Sequence, residues 1–567
     1  MSTLRRTLLV ATTLTGIAIM RPAFAQDAKR IDSIEAQIMQ LQQELRRMRN
    51  ELATRDNQIR AAQSDAARAR AQSAARPQPN AEQTQPGQSL SAQGQPLPSG
   101  APGPERASSA AGQAAGTTGP NGSFRLGGVT VTLGGFLAAE GVYRTRNITA
   151  DIGSNYSNIP TASSGNYHTG EFRGSARQSR LSLLVEGEIT KDQRVAGYFE
   201  SDFLGVGTTS NSNESNSYVP RLRQAYLTYD NDSWGAHALA GQAWSLLTLN
   251  RIGITPRQEN IPLTIDAQYV PGFNWKRQWQ LRVDKDMLDH RLWLGASLEE
   301  PQSVYYTGPN GLGVTSASGS ALITNPGGSL LNSGANYSND IAPDLIVKAA
   351  FDPGWGHYEA FGLGKLLHDR VNLPNDSHNN TTVGGGVGGG AILPLIPKKL
   401  DFQISGMAGY GIGGYGSGQL PDAIVTSTGS PKPLGEYTLL AGLTAHPTPL
   451  IDLYSYVGTE QISRTSFNLG GKPFGYGNPL YANGGCNIEL SAASACIGNT
   501  SGFTQGTLGG WWRFLKGSFG TLQAGAQFSY TKRDIFPGAG TVAGTRAPSA
   551  STDDSMVYFS FRYLPFQ

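Results

Sequence analysis

Between Ser179 and Ile189 the side chains alternate. Leu181, Leu183, Val185, Gly187 and Ile189 fall on one side of an extended chain. Arg180, Ser182, Glu186 and Glu188 fall on the other, with Leu184 the one apolar exception. Successive strand residues point to opposite faces, so this stretch predicts a strand with one apolar and one charged face. The same period returns further on. Trp279, Leu281 and Val283 oppose Gln278, Gln280, Arg282 and Asp284. Leu345, Val347, Ala349 and Phe351 oppose Lys348, and Val557, Phe559, Phe561 and Tyr563 oppose Tyr558, Ser560 and Arg562. One segment breaks the rule: Arg221 and Arg223 share parity with Leu227 and Tyr229, and a bulge near Gln224 would reconcile it.

Read this way, the chain from Val129 holds about sixteen strands, at 129–144, 173–190, 195–204, 219–230, 235–245, 275–285, 291–299, 344–351, 358–367, 382–396, 400–413, 435–446, 450–462, 503–514, 519–531 and 555–563. Tight turns such as Lys191-Asp192, Asn231-Asp232 and Pro353-Gly354 alternate with long polar loops at 147–169, 205–217, 246–274 and 302–341. An even strand number, an apolar outer face and loops long on one side only describe a transmembrane β-barrel. Sixteen strands leave a water channel, whereas about eight would fill with side chains. A soluble sandwich is the structural rival, and it explains neither the strand lengths nor the loop asymmetry. No run of 18 or more apolar residues exists, so a membrane crossing here is made by strands.

A different period governs the N-terminal part. Arg5 and Arg6, an apolar run from Leu8 to Met20 and the small-residue site Ala23-Phe24-Ala25 predict an export signal over 1–25. Ile31, Ile34, Ile38, Leu41, Leu45, Met48, Leu52 and Ile59 then recur by threes and fours, which predicts an α-helical coiled coil over 26–60. Its narrow seam needs partner helices, and mixed Ile and Leu leave the oligomer open, with a trimer among the options. Residues 61–122 turn to Ala, Gln, Pro, Gly and Ser and predict a disordered linker. The domain order is therefore signal 1–25, periplasmic coiled coil 26–60, linker 61–122 and outer-membrane barrel 123–567. Arg68, Arg70 and Arg76 of the linker are read as solvating charges, with peptidoglycan the alternative contact.

Composition fits this picture. The 567 residues carry only 15% charged side chains but 72 glycines, 22 tyrosines, 20 phenylalanines and 8 tryptophans. Turns and interfacial aromatic girdles account for that profile better than a soluble core does. A net charge of +3 without a basic domain argues against nucleic acid. Cys486 and Cys496, close together in an exported chain, predict a local disulfide in a surface loop. No metal-ligand spacing relates the seven histidines, nothing marks a Ser-His pair for hydrolysis, and no cofactor or enzymatic activity is expected. The run Gly384–Gly390 lacks the Lys and helix of a phosphate loop and suits a strand packed closely on a neighbouring subunit or an inward loop.

The candidate pore chemistry lies in the inward cations. Arg180, Arg282, Lys348 and Arg562 would offer permanent donors to a passing carboxylate or phosphate. The loop 246–274, with Arg251, Arg257, Glu259 and Asp266, is the candidate constriction. The plainer reading of each charge is a solvated wall residue paired with Glu186, Glu188, Glu200 or Asp202.

Six features together resemble the DcaP-like porins. They are the 31–59 heptad, Gly134-Gly135-Phe136, Ser179-Arg180-Leu181, Phe199-Glu200-Ser201-Asp202-Phe203, Leu222-Arg223-Gln224-Ala225-Tyr226-Leu227 and Gly241-Gln242-Ala243-Trp244-Ser245. They cover the arm and the first third of the barrel in order; the phosphate-selective porins are similar more distantly. The resemblance implies a homotrimer in outer-membrane lipid, sixteen strands and one pore per subunit, and uptake of small anions such as dicarboxylates. Carried over residue by residue, it points to Arg180, Arg223, Arg251 and Arg257. The chain departs from the pattern at its end, where Pro565 interrupts the last strand and Gln567 follows Phe566. The expectation is a passive, anion-preferring channel of the Gram-negative outer membrane. A neutral-solute or sugar channel and a structural anchor to the cell wall are the alternatives.

Overall fold

Two-residue alternation says which way each strand faces; the pairing decides what the faces enclose. The computed structural model describes residues 122–205, 219–312, 320–326, 336–372 and 376–566. The expected export signal, the coiled-coil seam from Ile31 to Ile59 and the linker up to residue 121 lie outside the described residues. Sixteen antiparallel wall strands follow in chain order: β1 Val129–Arg144, β2 Arg180–Thr190, β3 Gln193–Asp202, β4 Arg221–Asn231, β5 Ala236–Trp244, β6 Arg277–Met287, β7 Leu292–Glu299, β8 Asp344–Phe351, β9 His357–Asn372, β10 His378–Ile396, β11 Leu400–Tyr410, β12 Gly435–Thr448, β13 Ile451–Ile462, β14 Thr500–Gly517, β15 Gly520–Ile535 and β16 Ser551–Leu564. Each pairs with its chain neighbours, and β16 returns to β1 with Leu137 opposite Tyr563 and Arg144 opposite Met556. Closure removes both sheet edges, so every wall strand has a ladder on each side.

The two irregularities near the start have local causes. The segment expected as one strand over 173–190 comes in two pieces, Glu171–Ser175 and β2, both paired with β1. Between them the Ser179 hydroxyl accepts from the Ala138 amide at 2.9 Å, and Gln178 turns into the barrel. In β4, Gln224 pairs with Glu200 and Leu222 with Ser201, which leaves Arg223 as the extra residue of a bulge. Arg223 and Gln224 are therefore both buried, while Leu222 and Leu227 stay on the outer face. The bulge expected near Gln224 is present.

The outer surface follows the alternation. Leu181, Leu281, Val283, Val347, Phe559 and Phe561 are exposed; their inward neighbours Arg180, Arg282, Lys348, Ser560 and Arg562 are buried. An Arg or Lys at the midplane of such a face costs about 2–4 kcal/mol in lipid. Tyr143, Phe172, Tyr410, Tyr437 and Tyr530 are exposed near the long-loop ends of their strands, and Trp234, Trp355 and Phe519 near the short turns. These are two aromatic belts, as at the two surfaces of a bilayer. Among the described residues no helix is long and apolar enough to cross a membrane. Cys486 and Cys496 form the expected disulfide in the β13–β14 loop.

Candidate functional site

The connection between β5 and β6, residues 245–276, does not stay outside. Its apolar residues Ile254, Ile265, Ala267, Tyr269, Val270 and Phe273 are buried, and so are its polar Thr248, Thr264 and Asp266. A loop can be buried only if its backbone groups find partners, and here the barrel wall supplies them. The Leu246 amide donates to Glu299 on β7 at 2.8 Å, and the Asn250 amide to Glu359 on β9 at 3.1 Å. Lys348 on β8 donates to the Thr248 carbonyl and the Asn250 side chain. Gly253 donates to Asp352 at the β8–β9 turn, so the loop reaches the short-turn end. Asn260 bonds Gln403 on β11, and the Leu263 amide donates to Tyr456 on β13. Trp511 on β14 donates to the Leu263 carbonyl, and Gln527 on β15 accepts from the Ile265 amide. Tyr558 on β16 donates to Asp266, and Gln178 beside β2 to the Ile265 carbonyl. The loop is thus tied to the wall from β7 round to β2.

Within it, residues 249–260 make a hairpin: Asn250 bridges Glu259, Arg251 donates to the Gln258 carbonyl at 2.8 Å, and Asn260 to the Leu249 carbonyl at 2.6 Å. Wall glycines give the loop room. A Cβ on Gly390 would meet the Leu249 methyl at 2.8 Å, and one on Gly458 would collide with the Pro271 carbonyl oxygen. Gly390 belongs to the run Gly384–Gly390; it alone of that run packs on the 245–276 loop, while a Cβ on Gly385, Gly388 or Gly389 would meet the neighbouring wall strands. Replacing Gly458 by Val is expected to push the 271–272 segment off the wall and cost about 1–3 kcal/mol. Thermal unfolding in detergent, with Gly458→Ala as the milder partner, measures it.

Several charges around the loop stand in opposite-sign contacts. Arg562 donates to Glu140 through Nε and Nη2 at 2.9 and 2.7 Å, with its guanidinium 4.5 Å from the ring centroids of Phe136 and Trp511. Arg180 stands 3.6 Å from Glu200, and Arg223 bonds Glu200 and Asp202 at 2.5 and 3.0 Å. Arg221 bonds Asp202 at 2.6 Å, Arg282 bonds Asp284 at 2.8 Å and Lys348 bonds Glu359 at 2.6 Å. His357 places its two ring nitrogens 2.7 Å from Asp352 and 2.9 Å from Glu359, the carboxylates that hold the loop hairpin. Arg257, at a left-handed φ of 69°, stands 4.0 Å from Glu186. Arg251 lies half-buried on the same hairpin. Burial pushes the Asp266 carboxyl above the usual carboxylate range, against hydrogen bonds from Ser154 and the Gln268 amide that favour its charge.

The structure therefore brings Arg180, Arg223, Arg282, Lys348 and Arg562 to the inner wall and Arg251 and Arg257 to the hairpin in front of it. Glu140, Gln178, Arg277 and Gln527 were not singled out from sequence. Glu140 and Gln527 lie on strands that were recognised, and pairing across the barrel closure is what gives Glu140 its weight. Gln178 sits in the break before β2, and Arg277 has the parity of the outward Trp279, so no local pattern marked either.

The fold matches that of the outer membrane channel DcaP of Acinetobacter baumannii, with a TM-score of 0.52 and 18% identity over 78% of this chain and 99% of that one. Two further similar structures are the anion-selective porin from Comamonas acidovorans (TM-score 0.40, 10% identity, 77% of this chain and 99% of that one) and OmpT, an outer membrane protein of Vibrio cholerae (TM-score 0.38, 9% identity, 78% and 99%). No protein-family model matches the chain, and no curated protein matches its sequence. The fold is that of an outer-membrane channel.

Proposed function

We propose that this chain is a passive channel of the Gram-negative outer membrane that admits small hydrophilic solutes and favours small organic or inorganic anions. The observation that carries the reading is the 245–276 loop, held across the interior of a barrel whose outer face is apolar. A loop anchored at so many points narrows the passage and sets what passes. Its neighbouring wall supports an anion preference: Arg180, Arg221 and Arg223 cluster around Glu200 and Asp202, with Arg277 beside them, so cations outnumber carboxylates there. Arg251 and Arg257 on the hairpin add to the positive lining in this reading, whereas Arg282, Lys348 and Arg562 are buried against Asp284, Glu359 and Glu140 and act as anchors of the wall. The DcaP likeness supports the same class of protein.

Reversal potential across a potassium chloride gradient in a planar bilayer tests it. Chloride should carry the larger share of the current; a cation-selective potential overturns the anion preference, and absence of channels overturns the function. The arm completes the proposal: residues 26–60 join three copies through Ile31, Ile34, Ile38, Leu41, Leu45, Met48, Leu52 and Ile59 on the periplasmic side. Native mass spectrometry should then show a trimer, and a lone protomer argues against the arm's role.

A further inference from the structure

A row of charged and aromatic side chains crosses five adjacent strands at the long-loop end. Arg180 on β2 pairs in register with Asp202 on β3, Asp202 with Arg221 on β4, and Trp244 on β5 with Arg277 on β6. Arg180, Arg221 and Arg223 each have Glu200 or Asp202 within 4.0 Å. Arg277 differs from them. Among the described residues no carboxylate stands within that distance of the Arg277 guanidinium, and its side chain donates no hydrogen bond; the guanidinium lies against aromatic rings.

Those rings hold it in place. The guanidinium carbon lies 4.8 Å from the Trp244 ring centroid and 5.2 Å from that of Trp275. The two indoles are 5.8 Å apart, both pack on Tyr269, and the Trp275 N–H donates to Ser417 at 3.0 Å. Of the three guanidinium nitrogens only Nη1 is shut away from solvent. The side chain is half-buried, and its Nε–Nη2 edge stays accessible. This is a planar cation held by cation–π contact with two indoles, with one edge of N–H donors not taken by a protein acceptor. Those accessible donors face water rather than a protein acceptor, so an arriving anion displaces only solvent from them. A carboxylate matches that edge with two parallel hydrogen bonds, whereas a halide ion is a single point acceptor.

We propose that Arg277 is a carboxylate-binding site at the long-loop end of the barrel: an organic carboxylate seats side-on against Nε and Nη2, with Trp244 and Trp275 behind the guanidinium. Its meaning for transport rests on the channel reading, because the carboxylate would be captured ahead of the 245–276 loop. The binding itself does not depend on conduction.

The test uses the full-length protein in detergent, with tryptophan fluorescence followed as sodium acetate is added, and sodium chloride at equal ionic strength as the reference. Acetate should give a saturable change that chloride does not. Arg277→Gln should weaken acetate binding by roughly tenfold or more, and Arg277→Lys, which keeps the charge but not the fork, should weaken it similarly. Folded mobility on a semi-native gel shows that each variant forms the barrel; if Arg277→Gln does not, Arg277→Lys decides. Acetate and chloride acting alike, or Arg277→Lys binding as the parent does, overturns the site. Failure of the two readings is separable. A parent that binds acetate without forming channels removes the function and keeps the site. A parent that conducts without an acetate response removes the site and keeps the function.

Discussion

Replacing residues 250–259 with a Gly-Gly link is expected to raise single-channel conductance about two- to fivefold and to flatten ion selectivity. The splice is geometrically mild. The Asn260 amide already donates to the Leu249 carbonyl at 2.6 Å, so the two ends stand where a two-residue hairpin begins and ends. The wall beneath is not orphaned by the change, because Lys348 and Glu359 keep each other at 2.6 Å, and His357 keeps Asp352 and Glu359. What goes is the part of the loop that carries Arg251, Arg257 and Glu259 and reaches Asp352 through Gly253. Planar-bilayer recordings of parent and variant in the same salt measure the effect. Unchanged conductance with unchanged selectivity would mean that the hairpin does not set the passage, and the constriction would have to be sought elsewhere.

Glu140→Ala is expected to be the most destabilising single substitution in the wall, by about 3–5 kcal/mol. Glu140 on β1 and Arg562 on β16 face each other across the closing seam, with both side chains inaccessible to solvent. Glu140 accepts from Arg562 at 2.9 and 2.7 Å and from Ser560 at 2.8 Å. Without it, Arg562 retains a longer contact of 3.5 Å to Gln178 and its two flanking rings. A buried guanidinium stripped of its carboxylate costs more than the pair itself contributes. Glu140→Gln, which keeps an acceptor but not the charge, should fall between. The temperature at which the folded band disappears on a semi-native gel reports the order. A Glu140→Ala protein as stable as the parent would mean that water or rearranged neighbours replace the carboxylate.

Strand ends show how far a hydrophobic pattern reaches. The segments expected at 358–367, 382–396 and 519–531 are observed as His357–Asn372, His378–Ile396 and Gly520–Ile535. The extra residues lie mostly at the long-loop end, where the side chains turn polar and the apolar alternation stops. Backbone pairing does not stop there, because His378 still finds Val371 and Asp534 still finds Ser551. An alternation pattern reports the lipid band, whereas the ladder reports the sheet, and the sheet is longer.

The candidate site was legible in part. Arg180, Arg282, Lys348 and Arg562 have the parity of inward residues, and each is buried on the inner wall. Arg223 needed a bulge, and its anomalous parity against Leu227 was itself the signal. Arg277 carried the opposite signal. It shares parity with the exposed Trp279, yet at the strand end it turns with Trp244 toward Tyr269 of the inward loop. Parity holds only while a strand is paired on both sides, and Arg277 is the first residue of β6.

By itself the sequence determined the class of fold, because a two-residue period with an apolar outer set admits few structures besides a membrane barrel. It also determined the direction of most wall side chains, the bulge in β4 and the nearness of the two cysteines, all of which depend on neighbours a few residues apart. Only the tertiary structure decided what the interior contains. The carboxylate beside Arg562 is 422 residues away, and the acceptor for the Ile265 amide is 262 residues away. Which partners meet depends on ring closure and on the path of the 245–276 loop, and neither leaves a local period in the chain.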